Sequence, residues 1–207
     1  MKLINQIYEL QNSEIRKIIE KRLKEFEELG KMGNDEWFSE LCFCILTANS
    51  RARTAIEIQK QLGIKGFKEA GEETVSRVIK LNKHRFHNNK AKFIVCSRAN
   101  KDIKDKLAEM NEIEAREWLV ENIKGLGYKE ASHFLRNVGY KNLAILDRHI
   151  LNLMAENKLI KEKPKSLTKN NYLEIEEKFN NLAKKLDMSH AELDLYMWYM
   201  KTGEVLK

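Results

Sequence analysis

The chain predicts an all-α protein, and three observations carry that prediction. Apolar residues recur at spacings of three and four, glutamate and lysine fill the positions between them, and no run alternates Val, Thr or Ile with the two-residue period of a half-buried strand. A length of 207 residues with a single proline allows a real core in one compact unit or two small subdomains, with no linker to separate them.

The elements follow from punctuation. An opening pair of helices is expected over 3–9 and 12–29, with Asn12 and Ser13 at the second start and Gly30 just past its end, as caps prefer. Asn34 or Asp35 then caps EWFSELCFCILTA, which is too apolar for a surface helix and should form the buried centre of a bundle. NSRART at 49–54 closes that helix, 51–62 begins the next, and Gly63, Gly66 and Gly71 interrupt the pattern around a short helix. After a helix at 75–81, the basic, aromatic-bearing stretch NKHRFHNNKAKFI enters a helix running from 88 or 89 to about 106. A helix over 112–122 leads into KGLGYKEASHFLRNVGY at 124–140, with the next helix starting at Tyr128 or Lys129. KNLAILDRHI is a short extended piece that turns helical at about Asp147; a lysine-rich connection around Pro164 and two helices at 168–186 and 189–201 close the chain.

A formal charge of +7 and a pI near 9.2 favour a polyanionic partner. With 33% charged residues, many Glu/Lys pairs do no more than solvate helix faces, so the surplus is informative only where cations converge. Three cysteines are too few for a disulfide framework and suggest a reducing interior. Cys42 and Cys44 lack a second ligand pair and read as buried apolar residues, with no metal expected. No run approaches the about 20 apolar residues of a membrane span. A soluble protein of the cell interior, in the cytoplasm or nucleoid, is expected.

Three of the nine glycines fall within 124–140, although glycine costs about 1 kcal/mol against alanine inside a helix. A turn of the form apolar-x-Gly-Leu-Gly between two helices gives them a purpose. It exposes consecutive backbone N–H groups at a helix N-terminus, where the macrodipole adds positive character and glycine lets a phosphate come close. Lys124, Gly125 and Gly127 are the candidate contacts to a DNA backbone. A lone Gly-x-Gly turn would equally serve to join two packed helices.

The flanking residues extend the pattern. Gly125, Leu126 and Gly127, then Gly139 and LAILDRHI, resemble the helix-hairpin-helix signature of the base-excision DNA glycosylases related to endonuclease III. The four closely spaced C-terminal cysteines of that superfamily's iron-sulfur members are absent, and there is neither room nor strand pattern for the extra β domain of the eukaryotic 8-oxoguanine enzymes. RFHNNKAKFI and the ending MWYMKTGEVLK are similar to the compact archaeal 8-oxoguanine DNA glycosylase/AP lyase family, over nearly the full length.

That resemblance implies two helical subdomains with the active site in the cleft between them. One is 37–147, carrying the hairpin at about 117–138; the other is 1–36 plus 148–207. It implies a base-excision repair enzyme that removes 8-oxoguanine and then cuts the backbone by β-elimination. The partner would be double-stranded DNA containing an oxidised base, bound by a monomer without metal or cofactor. Lys129 would attack C1′ of the sugar, and Asp147, eighteen residues further along, would help deprotonate it and support the oxocarbenium-like transition state. Each also has a plainer reading, Lys129 as a phosphate contact and Asp147 as a helix cap. His149 would face the DNA backbone. Asn49 would enter the stack vacated by the flipped base, with Arg51 and Arg53 near the orphan base. Phe86 and Trp198 would offer the flipped purine a flat surface, and the segment through Lys207 would fold back to accept a hydrogen bond from N7–H, which distinguishes the lesion from guanine. Removal of an oxidised pyrimidine, a non-catalytic hairpin module that only binds DNA, and a helical scaffold with incidental charge are the alternatives.

Overall fold

The computed structural model describes residues 2–207, and every regular element among them is helical. In chain order these are α1 (Lys2–Gln11), α2 (Ile15–Lys31), α3 (Asn34–Thr47), α4 (Ala52–Glu69), α5 (Glu72–Leu81), α6 (His87–Ser97), a 3-10 turn (Arg98–Asn100), α7 (Ile103–Leu107), α8 (Glu112–Asn122), α9 (Tyr128–Asn137), α10 (Arg148–Glu156), α11 (Lys169–Leu186) and α12 (His190–Thr202).

The chain forms two compact units, one of Glu28–Val138 and one of the residues through Glu27 together with Gly139–Lys207. The sequence places the divisions at 36/37 and 147/148; the units divide at 27/28 and 138/139. The extended segment ahead of Asp147 therefore groups with the terminal helices. The reason is local: its backbone finds its partners on α11, as described below.

In the central unit, α3 is the core. Every residue from Trp37 to Ala48 is buried, and Phe38, Leu41, Phe43, Ile45 and Leu46 are sealed from solvent. Each such side chain contributes about 1.5–3 kcal/mol by burial, so the helix is held by its surroundings on all sides and not by a single apolar stripe. α4, α6, α7 and α9 pack around it, with Trp37 edge-on to Phe134 of α9 at 5.9 Å between ring centroids. In the other unit, α12 packs against α1, α10 and α11.

Three local readings need correction. α2 continues through Gly30 to Lys31, and the Gly30 carbonyl accepts a hydrogen bond from the Trp37 indole at 3.3 Å. At the start of α3 the cap is Gly33, whose N–H donates to the Glu36 carboxylate at 3.1 Å. Asn34 is used elsewhere: its carbonyl oxygen accepts the Lys104 N–H at 2.8 Å and its amide donates to Asp105 at 2.8 Å, which ties down α7. The helix expected from 88 to 106 breaks at Ser97. There the Arg98 guanidinium turns aside to donate to the carbonyls of Phe67 and Ala70, at the end of α4.

Candidate active site

The hairpin is α8, the turn Ile123–Gly127 and α9. Asn111 caps α8 through its side chain and Glu114 returns the bond to the Asn111 N–H at 3.0 Å, a complete capping box. Gly125 has φ +90°, and a Cβ there would run into the Phe93 ring, so both backbone conformation and space demand glycine. Arg116, with no exposure, lies under the Tyr128 ring at 5.3 Å and reaches Ser132 at 3.4 Å, while the Tyr128 hydroxyl donates to Glu117. Those contacts clamp α8 to the first turn of α9. The turn thus holds the leading N–H groups of α9 and the exposed Lys124 on a fixed frame.

Lys129 stands in that first turn, directly after Tyr128. Its side chain is 23% exposed, and its ammonium pairs with Glu130 at 3.0 Å. The same carboxylate accepts the Gly127 N–H at 3.3 Å through its other oxygen. Burial pushes the Glu130 carboxyl up, but the adjacent Lys129 charge and hydrogen bond, together with backbone donors, outweigh it and hold the group below the usual range. Glu130 was not among the expected residues, although a glutamate three positions after the cap glycine is a readable signal.

Three further expected residues lie at the junction of α3 and α4. Asn49 is exposed in the left-handed region at φ +59°, Arg51 is the exposed N-cap of α4, and Arg53 is exposed in its first turn. Phe86 is 42% exposed, with the Arg85 guanidinium 5.4 Å from its ring centroid. His84 anchors this loop as a neutral imidazole: burial lowers its pKa, Nε2 donates to the Leu46 carbonyl at 3.0 Å, and Nδ1 accepts the Phe86 N–H at 3.2 Å.

In the terminal-helix unit, Asp147 caps α10. One carboxylate oxygen, Oδ1, accepts the N–H groups of both His149 and Ile150 at 2.8 Å, which leaves Oδ2 free of hydrogen bonds among the described residues. The segment leading to it is extended without a neighbouring strand. Tyr172 and Glu176 of α11 take the place of one: the Tyr172 hydroxyl donates to the Ala144 carbonyl at 2.6 Å and accepts the Leu146 N–H at 3.3 Å, and Glu176 accepts the Ala144 N–H at 2.9 Å. Tyr172→Phe orphans two buried backbone groups and is expected to cost about 1–3 kcal/mol. The measurement is a lower urea midpoint at unchanged slope, and an unchanged midpoint would show that the backbone finds other partners.

His149 and Trp198 come together, edge to face at 5.1 Å between ring centroids. Trp198 is half-buried, and its indole N–H is sealed from solvent without an acceptor among the described residues. Residues 204–207 are half-buried beyond α12, Lys207 among them. No helix among the described residues is long and apolar enough to cross a membrane.

Comparison with known proteins adds to this geometry. A family model described as 8-oxoguanine DNA glycosylase matches residues 19–188. A Methanocaldococcus jannaschii protein named 8-oxoguanine DNA glycosylase/AP lyase is 51% identical over the whole of both chains, and a Korarchaeum cryptofilum protein of the same name is 44% identical over 99% of this chain and 98% of its own. The crystal structure of the M. jannaschii protein in complex with a 15mer DNA containing 8-oxoguanine superposes with a TM-score of 0.97 over the full length of both chains, at 51% identity.

Proposed function

The chain belongs to the 8-oxoguanine DNA glycosylase family and is a DNA-binding glycosylase and AP lyase; from that premise we propose that Lys129 is the nucleophile of both steps and Asp147 the supporting charge. The observation that carries the reading is the position of Lys129. Its amine stands in the first turn of the hairpin's second helix, beside N–H groups suited to a phosphate. An attack on C1′ releases the base, and the resulting Schiff base acidifies C2′ so that the 3′ phosphate leaves by β-elimination. Asp147 supplies negative charge through the oxygen its cap leaves unused.

Lys124, Gly125 and Gly127 position the DNA backbone, with His149 as a further contact. Asn49, Arg51 and Arg53, all exposed around the start of α4, suit the gap left by a flipped nucleotide and the orphan base opposite. Phe86 and Trp198 offer aromatic surface to the extruded purine. The partner is double-stranded DNA with an oxidised base, bound by a monomer in the cytoplasm or nucleoid. A panel of duplexes carrying either 8-oxoguanine or an oxidised pyrimidine tests the reading: release of the pyrimidine in preference to 8-oxoguanine would overturn it.

The acceptor for N7–H is assigned to the segment TGEVLK, residues 202–207, ending at Lys207. Support comes from the half-buried state of 204–207, which lie outside any helix. Deleting the last few residues is expected to slow 8-oxoguanine excision by about tenfold or more, the cost of losing a hydrogen bond on which discrimination depends. Cleavage at a preformed abasic site presents no base and should change little. Equal losses in both activities would reduce the segment to a support for α12.

A further inference from the structure

We propose that the ion pair between Glu156 and Lys201 is a positioning device for lesion recognition, setting where the segment after α12 places its hydrogen-bond acceptor. The inference rests on the assignment of that acceptor to residues 202–207.

Lys201 stands in the last turn of α12, and Glu156 is the last residue of α10, 45 positions earlier. The ammonium donates to both carboxylate oxygens, at 2.7 Å to Oε1 and 2.5 Å to Oε2. Pairs such as Arg16 with Glu20 and Lys178 with Glu174 join neighbours on one helix face, whereas this one joins two helices. The Glu156 side chain is 55% exposed, so the pair adds little to stability. What it fixes is direction: a cation held by two oxygens sets how the end of α12 lies along α10. The same helices also meet where His149 lies against Trp198. α12 is thus held at both the first and the last turn of the nine-residue α10.

Beyond the pair the chain turns in a defined way. Gly203 ends α12 in the left-handed region at φ +72°, and its N–H donates to the Tyr199 carbonyl at 2.8 Å. The Thr202 hydroxyl donates to the Trp198 carbonyl at 2.9 Å and accepts the Glu204 N–H at 3.3 Å. One side chain thereby connects the aromatic residue proposed to face the purine with the first residue past the turn. The half-buried residues 204–207 follow. At its other end α10 carries Asp147 as its cap, about 13.5 Å from Glu156 along the helix. Aligning α12 on α10 therefore aligns the acceptor on the carboxylate that supports departure of the base. A hydrogen bond from N7–H is good only over about 2.7–3.2 Å, so a loosened end of α12 weakens recognition first.

The experiment measures single-turnover excision of 8-oxoguanine and cleavage at a preformed abasic site, with enzyme saturating. The variants are Glu156→Ala, Lys201→Met and the swap that combines Glu156→Lys with Lys201→Glu. Each single variant should slow excision about tenfold, the scale of one lost hydrogen bond, and leave abasic cleavage within about twofold. The swap should return excision to within about threefold of wild type, because a reversed pair joins the same two helices. Deleting 204–207 adds a second axis: if the pair acts through this segment, Glu156→Ala costs nothing further once the segment is gone. Unchanged excision in both single variants overturns the proposal, and so does a swap that recovers nothing. An additional tenfold loss in the shortened chain, or equal losses in both activities, would overturn it as well. Thermal unfolding should stay near wild type, and a large drop in the single variants would make the pair structural and sink the idea. Failure of the underlying reading looks different: the shortened chain itself would excise 8-oxoguanine at the wild-type rate.

Discussion

Lys129→Gln loses strand cleavage and borohydride trapping by at least about a thousandfold, the scale on which removal of an enzyme's nucleophile is felt. Glutamine has nearly the reach of lysine but no basic amine, so neither a Schiff base nor the elimination that follows can form. Duplex affinity should stay within about tenfold, since the contacts proposed for the hairpin come from backbone groups and one lost cation removes one phosphate interaction at most. The frame of the turn does not depend on this side chain either. Gly127 still donates to Glu130, and Arg116 still clamps Tyr128. Quantitative trapping on an abasic duplex is the measurement. A variant that still traps would identify another amine as the nucleophile.

Asp147→Asn is expected to separate the cap that Asp147 provides from the negative charge proposed for it. Asparagine caps a helix about as well as aspartate, so the bonds from His149 and Ile150 survive and the start of α10 is preserved. The negative charge does not survive. Excision of 8-oxoguanine under single turnover should slow by about a hundredfold to a thousandfold, while unfolding and duplex binding remain near wild type. Asp147→Ala should add a stability loss of about 1 kcal/mol, because it removes the cap too. Wild-type excision by the asparagine variant would leave Asp147 with the structural job alone.

Much of this was legible in the sequence because it is written in local rules. The apolar run of α3, the Gly-Leu-Gly turn and the cap at Asp147 each declare themselves within a few residues, and the structure has all three. The misreadings share a cause. Gly30 reads as a stop signal until the Trp37 indole arrives at its carbonyl, and Asn34 reads as a cap until α7 claims its side chain. The break after Ser97 depends on carbonyls at the end of α4, some thirty residues earlier in the chain. Lys90, buried on α6, was hidden for a different reason: a lysine in a lysine-rich stretch looks like solvated charge. Its spacing with Ala91 and Ile94, which puts all three on the buried face, was there to be read. Tyr172 and Glu176 gave no local sign, because what they complete is the backbone of an extended segment far from them in sequence.

The placement of α3 also bears on how the chain is made. Glu40 of α3 accepts a hydrogen bond from the Asn137 amide, at the end of α9 and 97 residues later. At about 5–20 residues per second, a ribosome needs roughly 5–20 s to synthesise that interval. For that time the most apolar helix of the molecule has emerged without α9 to cover it. The first 27 residues wait longer still, for the helices that follow Gly139. Nascent chains should therefore engage holdase chaperones through α3, and release should coincide with the emergence of the hairpin.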